Sequence, residues 1–177
     1  MSRVAAAAAA LALALTLAGG GARAAVPIAS AAGRALPAHG VLSPGVSLAG
    51  IRLGMPAARV VERLGRNFGR CSACARETWY YNLRPFSPQG LGVELQHGRV
   101  SAVFTLWSPP GWRTSGGLAL GAPAASIHAA FPGLGSRTCD GYEVLVAAEP
   151  SSATAFLVVG GKLWGFSLAA PGGPLCR

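Results

Sequence analysis

Apolar residues in this chain follow three kinds of spacing, and each marks out a different kind of segment. Val4 to Ala18 is an unbroken run of mostly Ala and Leu. Residues 25 to 45 show no period: Pro27, Gly33, Pro37, Gly40 and Pro44 punctuate mostly small residues, which reads as a flexible arm. Helical spacing begins with Ala57, Val60, Val61 and Leu64, a short helix ending near Gly65. It returns at Ala124, Ile127 and Phe131, where Pro132-Gly133 stops it. A Leu-Gly turn and a proline, Pro56 or Pro123, precede each helix; proline suits a first helical turn because its missing N–H costs nothing there. Strand spacing fills the rest. Thr78 to Leu83 is aromatic-rich, Leu91-Val93-Leu95 alternates with Gly92-Glu94-Gln96, and Val100 to Trp107 is a longer run. Tyr142 to Ala148, Ala155 to Val159 and Leu163 to Ala169 complete the set.

The two helical openings are similar to each other. Gly50-Ile51-Arg52-Leu53-Gly54-Met55-Pro56-Ala57-Ala58-Arg59-Val60 returns as Gly117-Leu118-Ala119-Leu120-Gly121-Ala122-Pro123-Ala124-Ala125-Ser126-Ile127. Further on, the turn Gln96 to Val103 is paralleled by Val159 to Phe166. Two similarities in the same order argue for duplication. The fold expected is therefore α+β: two tandem repeats, each a short helix followed by an antiparallel meander, with the sheets on one face and the helices on the other. The predicted boundaries are a leader over 1–24, the arm over 25–45, repeat one over 46–107, a linker over 108–116 and repeat two over 117–177.

The glycine-leucine-glycine-x-proline opening, the short helix and then Trp79-Tyr80-Tyr81 resemble the helix-plus-sheet repeats of the BamE/SmpA and β-lactamase-inhibitory-protein superfamily. The resemblance covers residues 46 to 170. It implies an exported envelope or secreted protein that binds other proteins and does no catalysis. In tandem members, it further implies two sheets forming one concave gripping surface. This chain departs from the outer-membrane assembly lipoproteins by lacking a lipidated Cys and by having two copies, and no inhibitor's contact residues carry over.

The start of the chain supports export. Arg3 gives a positive n-region, Val4 to Ala18 the apolar core, and Gly19, Gly20 and Gly21 break the helix before Ala22-Arg23-Ala24, a small-x-small cleavage site. The run is too short and Ala-rich for a membrane anchor. Cleavage after Ala24 is expected, with a secreted product, extracellular or periplasmic, that has no membrane span. It removes two arginines and takes formal charge from +9 to +7. The remaining basic surface suits anionic polymers, anionic lipid or acidic proteins. Nucleic acid is not expected as a partner of an exported chain.

Four cysteines remain after cleavage: Cys71, Cys74, Cys139 and Cys176. In an oxidising compartment an even number favours two disulfides, and of the three possible connectivities Cys71–Cys74 with Cys139–Cys176 is favoured. The competing reading makes Cys71-Ser72-Ala73-Cys74 a thiol-disulfide redox motif. That needs a helix N-terminus after a strand, whereas this pair follows a helix in an Arg/Gly-rich loop. Zinc would need a second close ligand pair, and none is present.

Two sets of residues are candidates for binding. Trp79, Tyr81, Trp107 and Trp112 exceed what a thin core must bury; Trp79 and Tyr81 share one face of a strand, with Tyr80 on the other. On a helix, Arg59, Arg63 and Arg66 fall on one face opposite Val60 and Leu64, a basic stripe, and a solvated helix face is the competing reading. No catalytic constellation emerges. His39, His97 and His128 lack metal spacing, and the six carboxylates include no pair suited to acid–base chemistry. No enzymatic activity, cofactor or metal is expected. The expected partner is an exported or envelope protein, or an anionic envelope polymer that would make the chain a wall-associated structural protein.

Overall fold

The computed structural model describes Leu36 and residues 40–177; the leader, the cleavage site and most of the arm lie outside the described residues. Two short helices form behind their prolines. α1 spans Ala57–Leu64 after Pro56, and α2 spans Ala124–Ala130 after Pro123. Gly65, at φ 86°, takes up a backbone conformation that ends α1, and its N–H still closes onto Val61 O. Val60 and Leu64 of α1 and Ile127 of α2 are buried.

Strands make up most of the remainder. β1 (Val41–Ser43), β2 (Ser47–Leu48) and β7 (Arg113–Thr114) form a small sheet in the order β2-β1-β7. The main sheet holds β3 (Gly69–Arg70), β4 (Glu77–Asn82), β5 (Gly90–Gln96), β6 (Arg99–Leu106), β8 (Gly135–Cys139), β9 (Tyr142–Glu149), β10 (Ser152–Val159) and β11 (Lys162–Ala169). Its eight strands run antiparallel in the order β3-β4-β5-β6-β11-β10-β9-β8. Positive φ at His97 and Gly98, and again at Gly160 and Gly161, makes the tight turns that join β5 to β6 and β10 to β11.

This corrects the expected α+β architecture of two tandem helix-plus-meander repeats. The described residues are mostly β, the two helices are only 8 and 7 residues long, and the strands of both expected meanders join in one eight-stranded sheet. The physical reason is an edge. β6 and β11 each end a hairpin stack and lie side by side, with Phe104 opposite Ser167, Val103 opposite Leu168 and Ala102 opposite Ala169. The pairing satisfies backbone groups that two separate sheets would leave bare. The two Leu-Gly-x-Pro segments do share a local geometry: Gly54 N–H donates to Val100 O at 2.8 Å, and Gly121 N–H to Leu163 O at 2.7 Å. Both are corners docked on the same sheet, and Ala31–Arg177 is one compact unit, so the internal repeat is not retained as a description of the fold.

One face of the main sheet carries the larger core. Trp79, Tyr81, Leu91, Val93, Phe156 and Phe166 meet the two helices and the small sheet there. Leu42, Leu48, Ile51 and Trp112 belong to the same core and have no exposure. Val41–Ser43, expected within the flexible arm, forms β1, and Trp112, expected within the linker, is fully buried; both are built into the fold. The opposite face holds a second cluster of Cys139, Val144, Ala155 and Leu157, against which Leu175 packs.

Candidate functional site

Of the four candidate aromatics, three are structural. Trp79 and Tyr81 point into the helix-side core, as β4 alternation requires, and Phe68 stacks on Trp79 with ring centroids 4.2 Å apart. Burial pushes the Tyr81 hydroxyl up to about 12, because the tyrosinate form loses its water. That hydroxyl donates to Gly65 O. Trp112 fills the space beside Gly40, where a Cβ would fall 2.2 Å from the indole ring.

Trp107 is different: it is 61% exposed. It sits just past the end of β6 at φ 52°, followed by Ser108 at φ 46°. Two consecutive residues other than glycine in the left-handed region cost of order 1–3 kcal/mol each, so the surrounding structure must hold them there. Trp164 meets Trp107 edge-on at 6.1 Å from across the β6–β11 seam. Trp164 was not singled out in the sequence. It is the extra residue of a β-bulge, since Val158 pairs with Leu163 and Leu157 with Gly165, and a bulge interrupts the alternation that sequence reading relies on. Half-buried Leu106, next to Trp107 in the chain, and Val159, 40% exposed at the end of β10, add apolar surface at the same ends of their strands.

The face opposite the helices is covered across its middle by the chain's own tail. The Arg177 guanidinium donates to a Glu94 carboxylate oxygen and to Ser167 Oγ, and lies 4.3 Å from the centre of the Phe104 ring. Burial lowers the Arg177 pKa and the facing Glu94 charge opposes that shift. Tyr142 holds the tail's backbone, its hydroxyl donating to Arg177 O at 2.9 Å. A cavity of about 450 Å³ beside this seat is lined by Tyr80, Phe104, Glu94, Arg76 and the two disulfide cysteines Cys74 and Cys176. Its charges are already engaged, with Arg76 donating to the second Glu94 oxygen at 3.4 Å.

The cysteines are joined as Cys71–Cys74 and Cys139–Cys176. The first closes the turn between β3 and β4, where Cys71 N–H donates to Thr78 O at 3.0 Å. The pair lies between two strands and after α1, not at the start of a helix that follows a strand, which is the setting where a helix dipole lowers a thiol pKa. The second ties β8 to the tail.

The arginine stripe does not form as expected. α1 ends at Leu64, so Arg66 lies beyond it, and Arg59 is engaged by Glu62 at 2.5 Å in an exposed pair. Arg63 instead lies against Gly50. Among the described residues, no group of three or more His, Cys, Asp or Glu is placed to hold a metal, and no helix is long and apolar enough to cross a membrane.

No family model matches this chain, and no curated protein matches it. Solved structures similar to it include the following two. One is an extracellular protein containing a SCP domain from Bacillus anthracis, at 11% identity and a TM-score of 0.46. The other is a cysteine-rich secretory protein from Staphylococcus aureus, at 10% identity and a TM-score of 0.43. In both cases the match covers 67% of this chain and 44% of the other, so the chain spans under half the length of the structures it is similar to.

Proposed function

We propose that this is an exported, non-catalytic protein that takes a protein partner through the Trp107–Trp164 patch. The observation that carries the reading is Trp107, held 61% exposed on a left-handed backbone at a strand end. Leaving a large aromatic in water forgoes roughly 2–3 kcal/mol of burial, and the backbone adds its own strain. Tryptophan is the residue type most enriched at binding hot spots, where it anchors a desolvated pocket. Export is supported by the leader pattern in the sequence and by two disulfides that suit an oxidising compartment.

The experiment is affinity capture from envelope and culture-fluid extracts with the chain from residue 25 onward, alongside Trp107→Ala and Trp107→Ala/Trp164→Ala. A partner held by the parent chain should be lost at least tenfold by the single variant, while thermal stability changes little because Trp107 is not core. Equal capture by all three proteins would sink the reading.

A further inference from the structure

Nine arginines and three glutamates lie between residues 50 and 113, whereas residues 114–177 carry three basic and three acidic side chains. The excess is organised at one corner of the fold. The segment Gly50–Gly54 runs into α1 and has a guanidinium group beside each of its ends. At its start, Gly50 adopts φ 73° and has no Cβ; a Cβ there would fall 2.2 Å from Arg63 Nη2, so the Arg63 head lies against the Gly50 backbone. At its end, Arg99 Nη1 donates to Gly54 O at 3.0 Å, beside the β-bridge between Pro56 and Arg99. Arg52 lies between them in the chain and is exposed, as are Arg63 and Arg99. None of the three has a carboxylate within 4.0 Å among the described residues, and Glu62, the one acid on α1, is taken by Arg59.

From this geometry we infer that the Gly50–Gly54 corner is a docking surface for a linear polymer of repeating phosphate charges. The corner is independent of the Trp107–Trp164 patch. The Arg63 and Arg99 heads lie at the two ends of one five-residue segment whose end Cα atoms are at most about 14 Å apart, and Arg52 stems from its middle, so a chain of charges running along the segment meets all three. Arg99 is already held by its hydrogen bond to Gly54 O, which lowers the entropy it loses on binding. Guanidinium presents a planar fork that matches phosphate oxygens in pairs, and no lysine occurs in this half of the chain.

The test is binding to immobilised long-chain inorganic polyphosphate at a series of salt concentrations. The parent chain should be retained with affinity falling linearly in log–log plots against salt, as counterion release requires. Arg52→Gln/Arg63→Gln/Arg99→Gln should reduce that slope by about two to three and weaken binding by more than tenfold. Arg137→Gln/Lys162→Gln, at the electrically balanced end, should change neither. Because Arg99 also braces Gly54, the pair Arg52→Gln/Arg63→Gln is measured as well; it should lose most of the effect with an unchanged melting temperature. Trp107→Ala should bind polyphosphate like the parent. Equal losses in the triple and the Arg137/Lys162 variants would overturn the inference, since any positive charge would then serve. So would retention by polyacrylate, or by vesicles containing phosphatidylglycerol, equal to that by polyphosphate.

Discussion

Tyr81 and Trp107 are both large aromatics in strand-like sequence, yet one is a core residue and the other faces water. Alternation along β4 is enough to place Trp79 and Tyr81 together and Tyr80 opposite, and the sequence carries that much. It does not carry which of the two faces the helices will cover. The buried hydroxyl of Tyr81 gives a direct test. Its folded pKa of about 12 lies above the unfolded value near 10, so its contribution to stability is complete below pH 10. That contribution declines as pH rises towards 12, and amounts to roughly 2–3 kcal/mol over the window. Ultraviolet titration should show one late tyrosinate near pH 12, absent from Tyr81→Phe. If all tyrosines of the parent ionise together near pH 10, the hydroxyl is not buried as described. Trp112 shows the opposite limit. It sits in a stretch rich in Pro and Gly that reads as a joint, and its burial against Gly40 comes from pairing of β1 with β7, residues far apart in sequence.

Among the elements, those with local punctuation were the legible ones. Pro56 with Gly65, and Pro123 with Pro132-Gly133, bracket the two helices, and the turns at 97–98 and 160–161 bracket the hairpins. The seam between β6 and β11 has no local signal, because its partners lie some sixty residues apart, and so the pattern along the chain does not show that the two meanders join. Thr105 stitches that seam. Phe166 N–H donates to Thr105 Oγ1 at 2.9 Å, and Gly165 leaves room for the hydroxyl, since a Cβ there would fall 2.7 Å from it. Thr105→Val keeps the shape and removes the acceptor, leaving a buried N–H unpaired. We expect a loss of about 1–3 kcal/mol in chemical denaturation. A stability equal to the parent's would show that the N–H finds another partner.

For the molecule as a whole, the tail is the brace. It contacts Glu94 of β5, Phe104 of β6, Ser167 of β11 and Tyr142 of β9, and the Cys139–Cys176 bond fixes it to β8. With its cysteines 37 positions apart, that bond should stabilise the fold by about 3–4 kcal/mol in the loop-entropy model. Cys139→Ser/Cys176→Ser should lose that amount and, with the tail free to lift, bind an apolar dye such as anilinonaphthalene sulfonate more strongly. Unchanged dye binding would mean that the tail stays seated without its tether. The same arrangement makes the seat of Arg177 a gauge of the whole sheet. It is built from three strands, two of them joined only at the seam, so opening the seam would part Phe104 from Ser167 and leave Glu94 without its closest countercharge.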